Sequence, residues 1–238
     1  MQTKITYFST PHPIKKEKLL EFIDSSFQPI KVLKNDKRSL VFMVEAGGVK
    51  YVVKNPRDKN RRLWIRFLTL FRKSEAAMAL TSMEILLSLG IPTTKPIALI
   101  EKNRFGMVAE GWMVYEYFEA SPIETSDIQK SYELLCNLHQ SGFLHGNPQE
   151  QNFLRFNDAI ATIDAKLSKT QANGVDTWIE KIKFANSFIK PSDREVARVL
   201  IDKTDMGYKK ALDKMALVKI LKRPKYWFKG LLQGQPSK

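Results

Sequence analysis

Apolar residues in Lys15–Phe27 fall at Leu19, Leu20, Phe22, Ile23 and Phe27, close to helical period, and the run stops before Pro29, which predicts a packing helix. Three short β-prone runs follow, Ile30 to Leu33, Leu40 to Glu45 and Val49 to Lys54, with Gly47-Gly48 between the last two. That pattern predicts an antiparallel sheet. Leu63, Phe67, Leu70 and Phe71 then recur at i, i+4, i+7 and i+8 among Arg61, Arg62, Arg66, Arg72 and Lys73, a basic amphipathic helix. Trp112 to Phe118 reads as a strand. Ser126 to Gln140 reads as a helix, opening on a Ser/Asp cluster, carrying Ile128, Tyr132, Leu135, Cys136 and His139 on one face, and stopping at Gly142. Phe153 to Phe156 and Ala159 to Ile163 are β-prone runs joined by Asn157-Asp158, which suits a hairpin turn. Two more helical stretches follow, around Trp178 to Phe188 and Asp193 to Leu200.

The chain has 238 residues, 43% of them hydrophobic, enough for one large domain or two lobes and not a composition of disorder. Cys136 is the only cysteine, so no internal disulfide framework is expected and a reducing cytoplasm is compatible. The N-terminal stretch has no apolar core of a signal peptide, and no run approaches about 18 apolar residues, so neither a leader nor a membrane span is expected. A net charge of +14 favours anionic partners: nucleic acid, acidic lipid head groups or phosphorylated sugars. The basic amphipathic stretch either sits on an anionic membrane surface or docks its apolar face on its own lobe. From Lys203 to Lys238 ten Lys/Arg stand against two Asp, with Tyr226, Trp227 and Phe228 among them. Such a tail suits a membrane interface or single-stranded nucleic acid. No nucleic-acid recognition motif accompanies it, so nucleic acid is not the expected partner.

Chemistry concentrates between His145 and Asp164. A hairpin returns to its starting point, so Asn152 before the first run and Asp164 after the second should lie side by side. An amide oxygen and a carboxylate so placed are hard ligands suited to Mg²⁺ that also holds a substrate phosphate; the same residues could merely cap a turn. The turn His145-Gly146-Asn147-Pro148 should present Asn147 to that spot. Lys54 closes an apolar strand, either snorkelling to the surface or aimed at an anion. Lys37, Arg38 and Ser39 can hold phosphate by charge-assisted hydrogen bonds, or form a solvated basic turn. Cys136, His139 and His145 are too few for a zinc site and two of them lie on an apolar helix face, so zinc is not expected and both histidines read as structural.

His145, Gly146, Asn147, then Asn152, with Asp164 beyond, resembles the catalytic loop H-x-D-x-x-x-x-N and the metal-binding aspartate of the protein-kinase-like fold. The stretch LHQSGFLHGNPQEQNF followed by ID is similar to small bacterial kinases that phosphorylate heptose in the lipopolysaccharide inner core, and looser similarity covers nearly the whole chain. The resemblance implies a minimal two-lobed α+β fold: one domain, residues 1–238. Residues 1–117 would form an antiparallel sheet plus helix, and 118–238 a mainly helical lobe with the basic aromatic tail. It implies an ATP-dependent kinase using Mg²⁺, cytoplasmic and peripheral at the inner face of the inner membrane, acting on the core oligosaccharide on its lipid anchor.

The resemblance also distributes roles. Lys54, ending VVK, is similar to the third-strand lysine that contacts the α and β phosphates and pairs with a helix glutamate. Glu75, in its Glu-Ala-Ala context ahead of LLSLGIPTTKPIALI, fits that glutamate better than Glu84, which lies nine residues on and so about 900° round the same helix. Glu116 and Tyr117 fall at the hinge whose backbone binds adenine. The segment KNDKRS takes the place of the glycine-rich phosphate clamp without any glycine, leaving Arg38 and Ser39 to hold phosphate. Asn152 and Asp164 would ligate the metal. Ala165 follows Asp164 where the family has glycine, and Asn147 stands where the family has its catalytic aspartate. A carboxamide orients an acceptor hydroxyl without taking its proton, so the alternative is a catalytically silent module that binds nucleotide or lipopolysaccharide.

Overall fold

The computed structural model describes residues 2–8, 13–172 and 174–232, with side chains as far as Lys219. Two compact units make up the chain, Met1–Pro122 with Gln151–Leu167, and Ile123–Glu150 with Ser168–Lys238.

The first unit opens with β1 (Gln2–Tyr7), α1 (Lys16–Phe22), β2 (Lys31–Asn35), β3 (Leu40–Ala46) and β4 (Val49–Asn55). It continues through α2 (Arg57–Arg61), α3 (Leu63–Leu68), α4 (Glu75–Ser88), β5 (Pro96–Arg104), β6 (Met107–Glu116) and β7 (Ser121–Pro122). Six of these strands form one sheet in the order β1-β5-β6-β4-β3-β2, with every neighbouring pair antiparallel. Gly47 and Gly48, at φ 59° and 77°, join Ala46 to its partner Val49; both sit in the left-handed region that a two-residue hairpin turn demands. Alternation along the strands buries both faces. Phe42, Val44 and Val53 pack with Leu19 and Phe22 of α1, while Leu99 and Met113 pack with Ala76, Ala77 and Leu80 of α4.

The chain then forms α5 (Ile128–Gln140) and β8 (Phe143–Leu144) of the second unit. It returns to the first as the hairpin β9 (Phe153–Phe156) and β10 (Ala159–Thr162), and ends in the second with β11 (Ser168–Lys169), α6 (Val175–Ser187), α7 (Pro191–Val199) and α8 (Met206–Leu232). Ile128, Leu135 and Leu138 of α5 and Trp178, Ile182 and Phe184 of α6 are all buried. Gly207 opens α8 against the indole of Trp178, where any side chain would collide with the ring, and Lys214 pairs with Asp176 at 2.7 Å.

Four elements depart from the sequence pattern. The edge strand β1 goes unannounced because only Ile5 and Tyr7 of it are even partly buried. Helix α1 stops five residues early: the Asp24 carboxylate accepts from the backbone N–H and hydroxyl of Ser26 at 2.9 and 2.6 Å, making a turn that competes with helix. Phe27 then folds back on Phe22, with ring centroids 5.3 Å apart. The single basic amphipathic helix is two short ones, α2 and α3, broken at Arg62, whose backbone is extended; Leu63, Trp64 and Phe71 are exposed, while Leu70 rests against Gly106 of the same unit. The basic tail carries α8, while the side chains of Tyr226, Trp227 and Phe228 lie outside the described residues. Among the described residues no helix is long and apolar enough to cross a membrane.

Candidate functional site

The β9–β10 hairpin forms as its pattern predicts. Phe156 faces Ala159 across the Asn157-Asp158 turn, and Asn157 takes φ 51°, a conformation asparagine tolerates better than most residues. At the open end the Asn152 carbonyl accepts from the Ile163 N–H at 2.9 Å and from the Thr162 hydroxyl at 3.0 Å. The turn Gly90-Ile91-Pro92 holds the second strand: Thr162 N–H donates to Pro92 O at 2.9 Å, and the Thr93 hydroxyl donates to Thr162 O at 2.6 Å. Asp164 turns into the left-handed region at φ 53°, and Leu167 N–H then donates to Ser82 Oγ on α4 at 3.0 Å. These bonds bring Asn152, which is only 4% exposed, and Asp164 into the lining of one cavity of about 420 Å³.

Val52, Met83, Met113, Leu154 and Ile163 give that cavity apolar walls, to which Tyr115 and Tyr117 add rings. Lys54, Asn152 and Asp164 supply its charged and oxygen-bearing lining, with Ser39 and Lys34 beside them. Lys54 Nζ donates to Asp164 Oδ1 at 2.6 Å. Burial, with the Asp164 charge adding to it, pushes the Tyr115 phenol well above its ordinary pKa, so the ring stays neutral. An apolar slot beside an ammonium and hard oxygen donors can take an amphipathic anion together with a divalent cation.

The expected Lys54–Glu75 pair is not formed. Glu75 is the first residue of α4, where Ser74 Oγ caps the helix by accepting from Ala77 N–H at 3.1 Å. Its carboxylate accepts from Lys166 Nζ at 2.7 Å and Arg72 at 3.2 Å. Burial alone would raise the Glu75 pKa, but the Lys166 hydrogen bond and charge, with Lys59 and Arg72, hold it below the usual value. Lys54 is held by Asp164 instead, and Lys166, two residues past Asp164, reaches Glu75. Glu84 is exposed. Around the other expected contacts, Ser39 is buried and Arg38 exposed. Asp36 Oδ1 accepts from the N–H of both, at 2.7 and 2.8 Å. The hinge amides are engaged already: Glu116 N–H donates to Lys95 O at 2.9 Å and Tyr117 N–H to Lys50 O at 3.0 Å. Only the Tyr117 side of that pair lines the cavity.

Asn147 belongs to the second unit, in a loop fixed by a residue the sequence did not single out. Glu180 of α6 is 4% exposed and accepts from His139 Nε2 at 3.1 Å, His145 N–H at 2.8 Å and Gly146 N–H at 2.6 Å. Gly146 sits at φ 83°, and Asn147 N–H donates to His145 Nδ1 at 3.3 Å. Burial would raise the Glu180 pKa, yet these three donors keep it below the ordinary value. Glu180 lies within the apolar run of a helix already expected, so an acid at a buried phase was the available signal. Lys34 and Lys166 were also missed. Nothing local distinguishes them from the many surface lysines.

The profile of the family described as lipopolysaccharide core biosynthesis protein (WaaY) matches residues 3–226. A solved structure of WaaP in complex with acyl carrier protein superposes with a TM-score of 0.51 at 14% identity, covering 93% of this chain and 97% of that one. A putative fructosamine-3-kinase from Haemophilus somnus 129PT gives 0.52 at 11% identity, covering 76% and 78%. No curated protein matches the chain. With a kinase-like α+β fold, an antiparallel sheet in one unit and mostly helices in the other, and a family match over nearly its whole length, the chain belongs to the lipopolysaccharide core biosynthesis protein (WaaY) family.

Proposed function

We propose that the protein is an ATP-dependent kinase that phosphorylates a heptose of the lipopolysaccharide inner core on its lipid anchor, working at the cytoplasmic face of the inner membrane. One observation carries this reading: Lys54 and the hairpin-borne pair Asn152 and Asp164, distant from it in sequence, line the same apolar-walled cavity. Val52, Met113 and Leu154 would sandwich the base, with Tyr117 contributing its ring rather than its committed amide. Lys54, released from Asp164, would pair with phosphate oxygens, and Ser39 and Lys34 would supplement it where the glycine-free turn offers no backbone cradle; exposed Arg38 would act from the rim. Asn152 and Asp164 offer hard oxygen donors that fit Mg²⁺, which when bound neutralises phosphate charge. Glu75 positions Lys166 and the start of α4.

Asn147 would orient the acceptor hydroxyl. Its amide does not take the proton, which would leave to water or to phosphate. General-base assistance is typically worth about 10²–10⁴ in rate, whereas phosphoryl transfer draws most of its acceleration from positioning and charge stabilisation. A slow kinase follows. The second reading is a silent module that binds nucleotide or lipopolysaccharide, and Asn147 is the observation that favours it. To test the first, the protein is incubated with Mg²⁺, ATP and heptose-containing core, and the core is weighed by mass spectrometry while calorimetry follows nucleotide binding. One added phosphate is expected. Lys54→Ala and Asp164→Ala should each weaken ATP binding about tenfold to a hundredfold, the worth of a hydrogen bond to a charged group, and abolish transfer. Binding unchanged in both variants would remove the site assignment.

A further inference from the structure

We infer that α3, with Leu70, Phe71 and the tip of the β5–β6 hairpin, is a docking surface for an anionic lipid bilayer. It stands on the surface of the first unit and is independent of phosphate transfer. Leu63, Trp64, Phe71 and Phe105 are 75%, 68%, 77% and 81% exposed, far more apolar surface than scattered single residues leave in water. Trp64 and Phe71 are joined into one patch through Phe67. Trp64 stacks on Phe67 with centroids 5.9 Å apart, and Phe67 meets Phe71 edge-on at 5.7 Å. Gly106 abuts Leu70 so closely that a Cβ there would lie 3.3 Å from its Cδ2, and Val108 N–H donates to Thr69 Oγ1 at 2.8 Å. The hairpin tip bearing Phe105 is thereby fixed beside the patch.

Charge selects the occupant. Between Arg57 and Lys73 seven Lys/Arg accompany one acid, Asp58, and that acid is paired with Arg62 at 2.8 Å. Arg104, at the hairpin tip, lies over the Phe105 ring at 5.2 Å. An apolar patch bearing tryptophan and rimmed by cations matches the boundary between acyl chains and anionic head groups. Six residues of α3 rise only about 9 Å, so the contact is interfacial and not spanning.

The test sediments the whole protein with vesicles of phosphatidylcholine mixed with phosphatidylglycerol, and with phosphatidylcholine alone. Binding is expected to the mixed vesicles, with release as salt rises from about 0.1 M to 1 M and the screening length falls from about 10 Å to about 3 Å. Trp64→Ser/Phe71→Ser should lower partitioning about tenfold or more while leaving the thermal unfolding curve in place. Equal binding to both vesicle types, or wild-type binding by the double variant, overturns the inference, as does capture by an acidic protein surface without any vesicle binding. A second readout needs no change in the patch. In a Trp227→Phe protein, Trp64 is the exposed indole, because Trp112 and Trp178 are only 8% and 7% exposed; brominated acyl chains should quench its fluorescence. Absence of quenching also overturns the inference.

Discussion

Glu180 shows how much one side chain can hold in place. Its two oxygens accept from an imidazole and two consecutive backbone amides of the loop that carries Asn147. In Glu180→Gln the amide group has to face one of those donors, leaving a buried N–H unpaired, so stability should fall by about 2–4 kcal/mol. Because the folded pKa is depressed below the ordinary 4.5, this carboxylate stabilises the fold above the unfolded value, and the contribution drains away as pH falls through the folded value. Urea midpoints measured from neutral pH downward should drop below about pH 4.5, more steeply in wild type than in Glu180→Gln. Parallel curves would contradict the assignment. Residue-scale reading succeeded where geometry is local: a hairpin forces Asn152 and Asp164 together whatever surrounds them. It failed for Glu75, whose partner Lys166 is 91 positions away, because ion pairing between distant residues leaves no periodic trace.

At the scale of elements, the two-residue turns and the strands they join were readable because turn chemistry and alternation are properties of a few adjacent residues. Helix length was not. The Asp24 side chain ends α1 and the extended backbone at Arg62 splits the basic stretch, and neither alters the apolar spacing. The hairpin's attachment is a tertiary matter. Thr93 and Pro92, in the turn after α4, grip the backbone of Thr162 from both sides. Thr93→Val keeps the shape and deletes the hydroxyl bond; it should destabilise the protein by about 1 kcal/mol. The more telling readout is hydrogen exchange, where the Thr162 and Ile163 amides should lose protection before the central strands β5 and β6 do. Unchanged protection at both amides would show that the hairpin is held by other contacts.

Across the whole molecule, the kinase-like α+β class was implied by the resemblance carried by the motif at His145–Asp164, and the superposed structures agree with it. Composition does not mark where the chain passes from one compact unit to the other and back at Gln151, since those crossings are set by which surfaces pack together. Net charge narrowed the partners to anions without choosing one. The proposed activity rests on residues spread along the chain, Lys54, Asn147, Asn152 and Asp164. The most direct measurement is single-turnover phosphate transfer from ATP to heptose-containing acceptor by wild type and Asn147→Asp, with ATP affinity followed alongside. A kinase limited by its missing base should transfer phosphate in both forms, about tenfold to a hundredfold faster with the restored carboxylate, at nearly unchanged ATP affinity. No transfer from either form, with ATP still bound, would contradict the kinase reading and leave the silent binding module in its place.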